Sequence, residues 1–121
     1  MMKLTLDIPK TTLNEYINAE RRNRYAAAKI KKQETFAAAV AVGNAMKQGV
    51  AFDWPCALKF TWHVKNRKKD PDNVAATKKF ILDGMQKAEF LPNDSMKYIT
   101  GFVDAFVVDG KEIVEIEPMK G

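Results

Sequence analysis

Cysteine and histidine are almost missing from this 121-residue sequence, which holds one of each, Cys56 and His63. A single cysteine forbids an intrachain disulfide, and one of each leaves no Cys/His set for a zinc site. Cys56 sits in the apolar context Cys56-Ala57-Leu58 and reads as a small buried hydrophobe. His63 has no serine or cysteine arrangement around it that would make a hydrolytic triad, so it is assigned no role. A Walker loop and a G-x-G-x-x-G turn are also missing, which disfavours nucleotide-fuelled chemistry. No apolar run approaches the roughly 18 residues that span a membrane. The first residues, Met1 to Asp7, lack the apolar centre of a signal peptide. No membrane partner is expected, and the cytoplasm is the expected location.

What is present is an ordinary globular composition, 46% hydrophobic and 29% charged. One domain over residues 1–121 is expected, since the chain is long enough for one core and too short for two. The net charge is +5, and its placement matters more than its size. Cations gather in two clusters, Arg21 to Lys32 and Lys65 to Lys69, whereas the chain from Asp104 onward is mostly acidic. One positive face and one that avoids phosphate are implied.

Along the chain, Lys3 to Ile8 alternates polar and apolar, as a half-buried strand does. Thr12 and Glu15 match a capping box, but Asn14, Asn18 and Asn23 weaken the helix that follows, so a short helix with a loop around Arg21, Arg22 and Arg24 is expected. Tyr25 to Gln48 is alanine-rich and reads as a long helix stopped by Gly49. Cys56 to Val64 alternates as a second strand, and Asn73 to Lys87 as a helix. Pro92 to Ser95 is a turn by composition, and Lys97 to Val108 a long strand. Asp109-Gly110 predicts a hairpin into a last strand, Glu112 to Glu117. The order β-α-β-α-β-β predicts an α+β (mixed α/β) fold: a small mixed sheet with helices packed on it, combining a parallel crossover pair and the closing hairpin.

The chemistry concentrates where the second cationic run ends in Asp70-Pro71-Asp72-Asn73. Pro71 biases Asp70 toward extended backbone, so the two carboxylates leave the chain on one side. Two such carboxylates suit Mg²⁺, a hard cation that takes oxygen ligands and keeps several waters. The same residues also fit a turn and a helix cap, with no metal at all. Asp94 is a third carboxylate at a later turn, or only a turn residue. Lys79 stands one turn before Asp83; an ordinary i,i+4 pair is the plain reading, and a cation opposite a phosphate oxygen is the functional one.

Taken together, Asp70-Pro71-Asp72-Asn73, the helix end Phe80-Ile81-Leu82-Asp83-Gly84-Met85 and Phe90-Leu91-Pro92-Asn93-Asp94 resemble the RusA family of Holliday junction resolvases. Pro9 to Tyr16 and Arg21 to Lys32 are similar to the versions in phages and prophages of Gram-positive bacteria. The resemblance covers most of the chain. It implies a RusA-like fold in a homodimer that acts on four-way DNA junctions in a bacterial host cell, nicking opposed strands during recombination and repair. It implies Asp70, Asp72 and Asp94 as metal ligands for Mg²⁺, with Mn²⁺ as the substitute, and Lys79 as the catalytic lysine. The segment from Asp72 to Lys79 is three residues longer than in the enterobacterial type member, so Lys79 is aligned through Asp83, with Lys78 in reserve. DNA contacts are expected from Arg21, Arg22, Arg24, Lys29 and Lys32, and from Lys65, Arg67, Lys68 and Lys69. The alternatives are a catalytically silent protein that binds branched DNA through these cations, or a small interaction domain whose aspartates are only caps.

Overall fold

The computed structural model describes residues 3–119, with Leu13 described by its backbone alone. The elements follow in the order β1 (Leu4–Asp7), α1 (Leu13–Arg22), α2 (Arg24–Lys47), β2 (Cys56–Val64), α3 (Pro71–Ala75), α4 (Lys78–Lys87), β3 (Ile99–Val108) and β4 (Ile113–Met119). The strands form one mixed sheet in the order β1-β4-β2-β3. β2 and β3 are parallel, and β4 runs antiparallel to both β1 and β2. The fold is therefore α+β.

Alternation along β2 builds the core. Leu58, Phe60 and Trp62 are fully buried, each contributing about 1.5–3 kcal/mol by its removal from water. Register extends this pattern into rows across the sheet: Leu4, Ile116, Phe60 and Asp104 in one, Leu6, Val114, Trp62 and Phe106 in the next. Val42 of α2 and Ile81 and Met85 of α4 share the same apolar cluster. At the edge strand β3 the cover runs out, and Phe102, Val103, Phe106, Val107 and Val108 are exposed.

Two expectations need correcting first. The Asp109-Gly110 turn does not close a hairpin, because β2 lies between β3 and β4. β2, whose Leu58, Phe60 and Trp62 are fully buried, takes an inner place in the sheet, and the chain steps over it from β3 to β4. The expected parallel crossover pair is β2 and β3, joined through α3 and α4, and β1 lies beside β4. Finally, Arg21, Arg22 and Arg24 lie in helices rather than a loop. Asn23 alone breaks the path, with extended backbone, and its side chain accepts from the Tyr25 N–H to cap α2.

The helix expected from Asn73 to Lys87 is divided in two. Thr77 N–H bonds Val74, Lys79 N–H bonds Ala76 and Phe80 N–H bonds Thr77, all three residues back, so the backbone tightens out of the α path. The buried Thr77 hydroxyl adds a bond to the Val74 carbonyl at 2.6 Å. This break separates the short α3, with Pro71 in its first turn, from α4.

Candidate functional site

Six residues join β2 to α3, and every one from Lys65 to Asp70 is exposed. Asn66 Oδ1 accepts from the Lys68 N–H at 2.9 Å, which turns the cationic run back toward the protein. Asp70 occupies the N-cap position of α3 with φ −71° and ψ 140°, the extended geometry that a residue before proline adopts. Its side chain makes no capping bond. The plain reading places the cap on Asp72 and a turn at Asp70-Pro71; here Asp70 holds the cap position and Asp72 lies within the first turn.

Asp72 is exposed in the first turn of α3, and its Oδ1 accepts the neighbouring Asn73 N–H at 2.9 Å. Asn73 Oδ1 in turn accepts from the Asn14 N–H at 3.1 Å, tying α3 to the start of α1. Among the described residues neither Asp70 nor Asp72 is in a salt bridge, although Lys65, Arg67, Lys68 and Lys69 precede them closely. Two exposed carboxylates two residues apart fit a hard cation, which needs only one or two such groups when phosphate and water complete its shell.

Asp94 is exposed in the turn before β3, far from the pair. Cys56 is in register with Ile99, and Val64 with Val108 at the other end. Asp70 comes six residues after Val64 and Asp94 five before Ile99, so the two aspartates lie in the connections at opposite ends of the parallel β2–β3 pair. Accordingly, among the described residues no three His, Cys, Asp or Glu side chains come together as a metal-holding group. The chain places Asp70 at the cap of α3 and Asp72 in its helical first turn, not on one extended stretch as expected, and Asp94 in the turn before β3.

The two lysines at the start of α4 differ sharply. Lys78 Nζ is 2.8 Å from Asp104 Oδ2 and lies over the Phe102 and Phe60 rings, 4.4 and 5.0 Å from their centroids. Lys79 is exposed, and the i,i+4 pair with Asp83 does not form. The other cations expected at DNA, Arg21, Arg22, Arg24, Lys29 and Lys32, are all exposed around the joint of α1 and α2. From Asn14, beside α3, to Arg22 is about 12 Å of helix.

A cleft of about 540 Å³ opens beside the basic loop, where β1 and β2 end. Lys10, Lys65, Lys68 and Lys69 line it together with Asp7 and Glu112. Its apolar lining is Ile8, Pro9, Val64 and Val74.

The sequence reading left His63 without a role, and it has a structural one. Its Nδ1 is 2.7 Å from Asp109 Oδ2 and its Nε2 is 2.7 Å from Glu115 Oε1. Glu115 also receives Lys3 Nζ at 2.8 Å. Bonds to Asp109 first, and to Glu115, hold the imidazole above its ordinary pKa. His63 in turn lowers the Asp109 carboxyl, and Lys3 followed by His63 lowers that of Glu115. Only strand register brings these groups together, so no local motif could have disclosed them.

No protein-family model matches the chain, and no curated protein is significantly similar to it.

Proposed function

We propose that this protein is a Mg²⁺-dependent endodeoxyribonuclease of the RusA type, resolving four-way DNA junctions as a homodimer. The observation that carries the reading is a pair of exposed, unbridged carboxylates, Asp70 and Asp72, directly after an exposed and unbridged cationic loop. Cations that ignore adjacent carboxylates are available to a polyanion. Carboxylates that ignore adjacent cations are available to a metal. A phosphodiester joined to Mg²⁺ uses both.

Asp70 and Asp72 would hold the ion, which when bound polarises the scissile phosphate and lowers the pKa of water. Lys65, Arg67, Lys68 and Lys69 attract the DNA backbone, largely without regard to sequence. Lys79 places an ammonium that no described residue pairs at the start of α4, where it would offset negative charge growing on the phosphoryl oxygens. Asp94 is the expected third ligand. Because a chain keeps it at the far end of β2, a second copy is its natural source. That requirement gives the homodimer a chemical reason, and two equivalent sites suit a junction of near two-fold symmetry.

The test is a synthetic four-way junction incubated with the pure protein, with and without Mg²⁺. Paired symmetric nicks that need the metal are expected. Asp72→Asn should lose more than the roughly 10–100-fold that removal of an outer-shell partner costs at a metal site. Junction retained in a gel shift but uncut with any divalent ion would replace this reading with the silent branched-DNA binder. That second reading draws its support from the separation of Asp94.

A further inference from the structure

We infer that the cleft between the ends of β1 and β2 and the basic loop is a seat for a single nucleotide, with phosphate on its lysines and base on its apolar lining. The inference rests on the nuclease reading only for where that nucleotide would come from.

Charge comes first. Four lysines and two carboxylates line the cleft, yet among the described residues none of Lys10, Lys65, Lys68 and Lys69 is in a salt bridge. Elsewhere Lys3 pairs with Glu115 and Lys78 with Asp104, each at 2.8 Å, whereas in the cleft four lysines face two carboxylates. The cleft therefore keeps an unspent excess of positive charge, which calls for one or two phosphates. A bare anion site, however, has no use for Ile8, Pro9, Val64 and Val74. A purely apolar ligand would have no use for the lysines.

Size narrows the ligand further. About 540 Å³ lies within the roughly 300–1,000 Å³ of small-molecule sites and well above what a phosphate needs. A flat, largely apolar ring carrying phosphate matches all three properties. The nucleotide is either one unpaired at the branch point of a junction or one free in solution. Asp70 and Asp72 begin directly after the Lys69 rim, so a strand seated here continues past them.

The test uses isotopically labelled full-length protein titrated with thymidine 3′,5′-bisphosphate, without metal, with inorganic phosphate and thymidine as separate controls. Amide shifts at Ile8, Lys10, Lys65 and Val74 are expected, with binding at least about tenfold tighter than either control. The double variant Lys10→Gln/Lys65→Gln, checked for an unchanged fold by circular dichroism, should weaken that binding by at least about tenfold. Phosphate binding as tightly as the bisphosphate, or shifts confined to the Arg21 to Lys32 surface, would overturn the inference. A second arm places 2-aminopurine at the branch point of a junction. Fluorescence that rises with wild type and not with the double variant identifies a strand nucleotide; bisphosphate binding without that rise identifies a free one. Neither arm involves cleavage, so a protein that cuts no junction can still fill this seat, and one that cuts can leave it empty.

Discussion

Lys78 of α4 reaches Asp104 of β3, Nζ to Oδ2 at 2.8 Å, and the other Asp104 oxygen accepts from buried Trp62 Nε1 at 2.8 Å. Asp104 stands in the same cross-sheet row as Leu4, Ile116 and Phe60, where an apolar residue would be usual. Both of its oxygens are engaged, so a carboxylate is tolerated at the edge of the core. Lys78 is thereby committed to packing, and Lys79 is the one of the two that the proposed mechanism assigns to phosphate.

The two lysines should therefore separate cleanly by mutation. Lys79→Met is expected to abolish most junction nicking and leave the melting temperature unchanged. Lys78→Met is expected to lower stability while retaining far more activity. Asp104→Ala should cost about 1–3 kcal/mol in urea unfolding, because it leaves the Trp62 N–H without a partner. Equal loss of nicking in both lysine variants at unchanged stability would reject this division.

Gly84 holds α4 close against α2. A Cβ added there would lie 2.5 Å from Ala38 Cβ and 2.9 Å from the Ala39 backbone nitrogen. Alanine normally gains up to about 1 kcal/mol over glycine within a helix. Here overpacking, at about 1–3 kcal/mol, should outweigh that gain. Gly84→Ala is predicted to lower the urea midpoint; a raised midpoint would mean the helices separate at little cost.

Local signals in the sequence proved dependable where the physics is local. The Thr12–Glu15 capping box forms as expected, and β2 covers Cys56 to Val64. The extended backbone of Asp70 was legible because Pro71 constrains it directly. What could not be read was pairing between distant segments. Asp109-Gly110 carries the chemistry of a hairpin turn, yet turn residues do not specify which strand lies next door. The separation of Asp94 from Asp70, and the meeting of His63 with Glu115, both follow from register alone.

The His63 cluster predicts a pH window. Its raised pKa means that the histidine's contribution is fully present below the unfolded value near 6.5 and is lost as pH rises through the folded one. Asp109 and Glu115, both lowered, contribute above their ordinary values of 3.8 and 4.5, and that contribution is lost as pH falls through the folded ones. Their joint effect is greatest between about pH 4.5 and 6.5. The melting temperatures of wild type and His63→Gln should differ most in that window and converge on either side. A difference independent of pH would assign His63 to packing alone.

The position of Asp94 yields a test of how the metal site is completed. If Asp70 and Asp72 of one chain work with Asp94 of another, Asp72→Asn and Asp94→Asn homodimers are both inactive. Mixed dimers behave differently. One of their sites combines both substitutions, whereas the other takes intact Asp70 and Asp72 from the Asp94→Asn chain and intact Asp94 from the Asp72→Asn chain. After unfolding and refolding an equal mixture, half of the dimers should be mixed and half of their sites intact, giving about a quarter of wild-type nicking. Those nicks should fall on one strand rather than in symmetric pairs. If each chain instead completed its own site by closing over the length of β2, every site in a mixed dimer would carry one substitution, and the mixture would stay as inactive as its parents.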